Sequence, residues 1–325
     1  MKHGSCPPFT SHHPSLHPDL YLIMNTLKTI LVAVDFSTGS RAALEQAVRI
    51  AHLQGARLHV LHVVDSTAVA TMAASRESSY ETQATTAAEG ARTALQSWLV
   101  GSQKSSEVEV IIAVGTPLHE ILNHVTTLNA DLLVAGIAGA GNTPAGAGSV
   151  SCKLARKSPC RVLLVRADHP HAFQKVVACI DFSETSREVV AAASRIARKD
   201  SASVDFLHVW REPWIVTPGV DALGSVYPVM VFTPAERQAH SENLRRELHE
   251  FIGSAADGIR SSEVLQEAMN YGSGIMAHAQ ECKADLIIVG SKGRTNLRYV
   301  LMGSTAERLL THLPCSLLVV RPSAA

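Results

Sequence analysis

The chain has 325 residues, room for about two domains of ordinary size. Hydrophobic residues make up 46% and charged residues 18%, balanced at 29 basic and 29 acidic, which argues against a nucleic-acid-binding or membrane-surface protein. Six cysteines are scattered with no C-x-x-C pair, so neither a zinc knuckle nor a disulfide framework is indicated. A cytoplasmic location fits that usage, and no apolar run approaches the ~20 residues of a membrane span.

Residues 1–26 are rich in proline (Pro7, Pro8, Pro14, Pro18) and histidine (His3, His12, His13, His17). They lack a secretory apolar core. Histidine-rich tracts can bind metal, but the expectation here is a disordered tail, dispensable for folding. Met24 is a second candidate start, because regular patterning begins just after it. Residues 28–36 (KTILVAVDF) read as a buried strand ending in Asp35. Residues 40–54 follow as an amphipathic helix, with Leu44, Ala47, Val48 and Ala51 on one face and Gly55 as its stop. A strand at 57–64, a helix at 82–100 and a strand at 108–114 come next. Gly115-Thr116-Pro117 turns the chain into a helix over 118–128, with proline at its favoured first position. A strand at 131–136, a glycine-rich loop to Gly148, a helix at 149–157 and a strand at 160–166 complete the series.

The series then repeats, as one internal duplication of about 150 residues. Residues 175–182 (KVVACIDF) end in Asp181 as the first strand ended in Asp35. Thr185 opens a helix, and Glu188 three residues on suggests a capping box. Leu207-His208-Val209 matches Leu61-His62-Val63. A helix at 233–252 and a strand at 263–269 follow; Gly272 answers Gly115, and 314–321 repeats 159–166. The expected division is a tail at 1–26, one domain at 27–168 and another at 174–323. The strands are continuous apolar runs alternating with helices, so both sheet faces are covered and the fold class is α/β, parallel and doubly wound. Ligands in such sheets bind beyond the strand C-termini.

Between the strand at 284–289 and the helix at 305–310 lies Gly290-x2-Gly293-x9-Gly303-Ser304, with Lys292, Arg294 and Arg298. Unpaired N–H groups at a helix start favour an anion, and glycines let a phosphate approach the backbone. The alternative is a glycine-rich connection that binds nothing. The spacing is neither G-x-x-x-x-G-K-[ST] nor G-x-G-x-x-G. It resembles the phosphate loop of the universal stress protein family, whose ATP-binding members carry G-x2-G-x9-G-[ST] here.

The resemblance spans about residues 27–323 in two copies and implies a tandem member, adenine nucleotide alpha hydrolase-like, with strand order 3-2-1-4-5 in each domain. It implies an adenine nucleotide, ATP with Mg²⁺. Cys179, Ile180, Val209 and Val289 would line the adenine slot, and Asp181 would help hold the metal ion. Gly290, Ser291, Gly293, Arg294, Gly303, Ser304 and Thr305 would hold the phosphates. In the first domain the matching residues are Val34, Asp35, Val63, Gly136, Gly139, Gly148 and Ser149. There the loop is one residue short, residues 137–147 contain no Lys or Arg, and Pro144 removes a donor. A weak or absent first site is expected; a retained site with looser phosphate geometry is the alternative.

Residues 210–232 form a long apolar insertion with Trp210, Trp214, Tyr227 and Phe232, either a lid or contact surface or a cover over its own domain. His62 and His208 are expected to pack in the core or at its edge. No catalytic motif is evident near the loop, so the expected role is a regulatory, stress-response nucleotide-binding module. A slow ATPase and a nucleotide-independent interaction scaffold are the alternatives. In single-domain relatives the fifth strand mediates dimers. The two fifth strands are therefore expected to pair within the chain as a pseudo-dimer, with a homodimer of chains as a further assembly. The sequence indicates no nucleic acid and identifies no protein partner.

Overall fold

The computed structural model describes residues 27–100, 108–139, 147–168, 171–211, 233–293 and 302–322. The first half runs β1 (Thr29–Val34), α1 (Thr38–Gln54), β2 (Arg57–Asp65), α2 (Ser66–Ser75), α3 (Tyr80–Val100), β3 (Val108–Gly115), α4 (Pro117–Thr127), β4 (Leu132–Gly136), α5 (Ser149–Lys157) and β5 (Arg161–Val165). The second runs β6 (Lys175–Cys179), α6 (Glu184–Asp200), β7 (Ser203–Trp210), α7 (Pro234–Ile252), a 3₁₀ turn (Gly253–Ala256), β8 (Arg260–Glu267), α8 (Tyr271–Glu281), β9 (Leu286–Gly290), α9 (Ser304–Thr311) and β10 (Ser316–Val320). The stretch 1–26, insertion residues 212–232 and loop residues Arg294 and Arg298 lie outside the described residues.

The strands form one ten-stranded sheet in the order β3-β2-β1-β4-β5-β10-β9-β6-β7-β8. Each half thus has the order 3-2-1-4-5, and every pairing within a half is parallel. Continuous apolar strands demand cover on both faces. One layer joins Ala43 and Leu44 of α1 and Leu95 of α3 to Val189 and Ala193 of α6 and Leu248 of α7. The other joins Ile121 of α4 and Leu154 of α5 to Ile275 of α8 and Leu309 of α9. Both layers run across the two halves without a break.

The halves meet where β5 pairs antiparallel with β10, with Leu164 opposite Leu317 and Leu163 opposite Leu318. Pairing the two edges satisfies backbone groups that would otherwise invite another chain. The contacts around this seam are reciprocal. Arg166, after β5, donates to the carbonyls of Leu313 (3.3 Å) and Pro314 (3.1 Å) behind α9. Arg321, after β10, donates to Ala155 O (2.5 Å) and Arg156 O (3.2 Å) in the last turn of α5. Those carbonyls lack helical partners, so the guanidinium groups satisfy them.

Some local expectations change. Ser183, not Thr185, caps α6: its hydroxyl accepts from Ser186 N, and Glu188 is buried near Arg161 (3.6 Å). The capping box belongs instead to Thr233 and Glu236 at α7, where proline fixes the first turn. Gly272 is not the counterpart of Gly115. Gly115 closes β3, whereas Gly272 is the second residue of α8, and equal-length α4 and α8 match Thr116 to Asn270 as N-caps. The third strand of the second half starts at Arg260 and ends at Glu267, because its register against β7 runs over that whole span; Met269 lies beyond it, 84% exposed. Helix α2 was not anticipated. Asp65 caps it by accepting from Thr67 N, and it buries only Val69 and Ala73. Trp210 ends β7, buried, with its ring edge-on to His240 at 5.5 Å, so this aromatic covers its own half.

Candidate functional site

In each half, β1 or β6 and the adjacent β4 or β9 end side by side, and the chain leaves both strands at the same sheet edge. β6 ends at Cys179, followed by Ile180 and Asp181. His208 Nδ1 donates to Ile180 O at 2.8 Å, and its ring lies 4.4 Å from that of Phe182. Phe182 has φ 61°, in the left-handed region that bulky residues rarely enter. The first half repeats the arrangement: His62 Nδ1 donates to Val34 O at 2.8 Å, its ring lies 4.6 Å from Phe36, and Phe36 has φ 62°. A carbonyl only accepts, so each imidazole carries its proton on Nδ1.

Asp181 is held by the start of α6. Ser183 N (3.1 Å), Ser183 Oγ (2.6 Å) and Ser186 Oγ (2.5 Å) all donate to its Oδ1, while Asp181 N donates to Ser186 Oγ at 3.0 Å. Its Oδ2 lies beside Gly293, where an added methyl group would fall only 2.8 Å away. Asp35 is more exposed. Ser37 N donates to its Oδ1 at 3.0 Å, and its Oδ2 lies beside Gly139, 2.6 Å from where a methyl would stand. Glycine leaves that approach of carboxylate to loop unobstructed.

The two loops close in the same way. Gly148 N donates to Ile137 O (2.7 Å), and Gly303 N to Ser291 O (2.9 Å). Gly148 and Gly303 are the N-caps of α5 and α9, and neither provides a side-chain cap. The first-turn N–H groups, those of Ser304 and Thr305 among them, thus face the crevice end with the positive pole of the helix. Among the described residues, the nearest atom to a methyl at Gly303 would be Ser291 O, 3.9 Å away. Ser291 is fully buried, and its hydroxyl makes no hydrogen bond among the described residues.

In the first half all seven residues singled out from sequence line one cavity of about 330 Å³, which Leu61, Ile121 and Leu154 line as well. In the second half Cys179, Val209 and Val289 share one apolar layer. Ile180 packs in the opposite layer, so it meets the crevice through its main chain alone. Burial is the main cause that pushes the Cys179 thiol up, with Cys315 and then Asp181 adding to it, so it stays protonated and non-nucleophilic.

The model of the universal stress protein family matches residues 26–166 and again 172–321. The chain belongs to the universal stress protein family. The universal stress protein YxiE of Bacillus subtilis is 35% identical over 149 residues, covering 46% of this chain and 99% of YxiE. One from Methanocaldococcus jannaschii is 29% identical over 150 residues, 46% of this chain and 82% of its own. Each of these spans about one half of the present chain. The crystal structure of a universal stress protein from Archaeoglobus fulgidus matches both halves together, with a TM-score of 0.60, 18% identity and coverage of 91% of this chain and 98% of that one. This last likeness concerns the fold.

Sequence reasoning missed Ser183, Ser186 and the anchoring role of His62 and His208. The signal was present: both copies read Asp-Phe-Ser-x-x-Ser, at Asp35 to Ser40 and Asp181 to Ser186. It also missed Thr185, whose side chain lies 2.9 Å from where a methyl on Gly290 would stand, so that glycine serves helix packing. Among the described helices none is long and apolar enough to cross a membrane.

Proposed function

We propose that the protein is an ATP-binding regulatory module of the stress-response type, taking one ATP with Mg²⁺ in the crevice of its second half. One observation carries this reading: the full-length Gly290-x2-Gly293-x9-Gly303-Ser304 loop runs from the end of β9 to the uncapped start of α9, with Asp181 facing it across Gly293. The residues fit the ligand. Uncapped first-turn N–H groups, the hydroxyls of Ser304 and Thr305, and Lys292 suit phosphate oxygens. The Asp181 carboxylate suits a hard cation. Cys179, Val209 and Val289 supply an apolar floor for a base.

The first half keeps the crevice and Asp35 but not the charge or length of the loop. In this reading it binds nucleotide weakly or not at all. Mass spectrometry of the denatured, freshly purified protein tests the assignment. Co-purified adenine nucleotide near one equivalent supports it, and protein that neither carries nor takes up ATP favours an interaction scaffold. Phosphate release that loop variants abolish would point to a slow ATPase.

A further inference from the structure

At the sheet edge opposite the crevice, three ligand-bearing side chains converge: Asp205 on β7, and His278 and Cys282 on α8 and its C-cap. A carboxylate oxygen, an imidazole nitrogen and the thiol sulfur all lie within 4.8 Å of one another. His278 and Cys282 are four residues apart, which puts them on one face of the helix. That face packs on β7, where Asp205 points toward it, and His278 Nε2 is 3.0 Å from Asp205 Oδ2.

The carboxylate is already oriented from its other oxygen. Lys175 Nζ donates to Asp205 Oδ1 at 2.7 Å, and Ser262 Oγ donates to the same atom. Metal-binding carboxylates characteristically have such outer partners, which fix the ligand and leave one oxygen directed at the ion. Asp205 itself is only 4% exposed. His278 and Cys282 are partly exposed, so an ion can reach the cluster from solvent.

We propose that Asp205, His278 and Cys282 form a transition-metal site, with Zn²⁺ as its natural class of ion. A mixed oxygen, nitrogen and sulfur set suits a borderline-soft d¹⁰ ion, and three protein ligands leave a fourth position for water. Bond lengths of about 2.0–2.3 Å put tetrahedral ligand atoms roughly 3.3–3.8 Å apart, so the existing cluster needs only small side-chain movements. The ion displaces the His278–Asp205 hydrogen bond. His278 binds as neutral imidazole through Nε2, Cys282 binds as thiolate, and its proton passes to solvent. One carboxylate and one thiolate offset the dication, and Lys175, still paired with Asp205, leaves the cluster with a net positive charge.

The first half does not repeat the site. The register of β2 and the equal lengths of α4 and α8 place His59, His124 and Leu128 at the corresponding positions. Two of the three types differ, and the thiol is gone. The site therefore belongs to the second half and is separate from the nucleotide crevice.

The test is Co²⁺ titration of the full chain carrying Cys6→Ser, so that the histidine-rich N-terminal stretch cannot supply a thiolate. The expected result is a near-ultraviolet sulfur-to-cobalt absorption that saturates near one equivalent and is removed by Zn²⁺. Cys282→Ser should abolish the band, and His278→Gln should weaken Co²⁺ binding about 10-fold or more. Circular dichroism checks that both variants are folded, and two variants guard against either one disturbing the helix. Folded parent protein without the band, or a band that Cys282→Ser leaves unchanged, would overturn the proposal.

Discussion

His208 Nδ1 donates to the carbonyl of Ile180 at 2.8 Å, one residue before Asp181. His62 and Val34 repeat that bond before Asp35. Each bond joins the second strand of its half to the end of the first and lies directly behind the aspartate. His208→Ala leaves a buried carbonyl without its partner, and the ring beside Phe182 is lost with it. The expected cost is about 1–3 kcal/mol in denaturant unfolding, together with weaker ATP binding. Unchanged stability and unchanged affinity would show that the imidazole is ordinary packing.

The seam makes a second prediction. Leu317 is fully buried opposite Leu164, within a layer shared by both halves. Leu317→Ala should destabilise the chain by about 2–5 kcal/mol. Because both layers cross the seam, calorimetry of the parent protein should show one cooperative transition. Two separate transitions would mean that the halves fold as independent units.

A third prediction concerns pH. His249 on α7 and Glu263 on β8 lie 2.9 Å apart at the surface. The hydrogen bond that His249 Nδ1 donates to Glu263, then the charge of Glu263, raises the imidazole above its ordinary value near 6.5. A raised folded value means that the stabilisation is fully present below the unfolded pKa and fades as pH rises through the folded one. Proton NMR titration should place His249 above its ordinary value, and Glu263→Gln should lower it toward that value. A parent value already at the ordinary position contradicts the pair.

Much of the fold was legible because buried parallel strands announce themselves as apolar runs, and because everything is written twice. KTILVAVDF and KVVACIDF identify the same strand end independently. The strand order came from the family resemblance rather than from periodicity. Elements with little buried surface were the ones misjudged. Helix α2 buries two side chains, and β8 is an outer strand with Arg260 to Glu263 exposed, so neither leaves an apolar signature. In the crevice, glycine spacing marked the loops. The hydroxyls of Ser183 and Ser186 bond to Asp181 from within the local Asp-Phe-Ser-x-x-Ser repeat and could have been read from it, whereas the imidazole of His208 escaped notice because its partner, Ile180, is brought close only by folding. The metal cluster escaped for the same reason: His278 is 73 residues from Asp205 in sequence.

The asymmetry between the halves is tested most directly by calorimetric titration of ATP with Mg²⁺. Well-formed charge-assisted hydrogen bonds to phosphate are worth roughly 1.5–3 kcal/mol each, so losing two or three weakens binding by orders of magnitude at about 1.4 kcal/mol per tenfold. Gly303→Val places a side chain before the first turn of α9, and Gly148→Val does the same before α5; among the described residues nothing lies closer than 3.9 Å and 3.6 Å to the respective Cβ. The parent protein should bind near one ATP per chain, Gly303→Val should bind none, and Gly148→Val should change affinity little. Two equal sites in the parent, or loss of binding on Gly148→Val alone, would contradict the assignment to the second half.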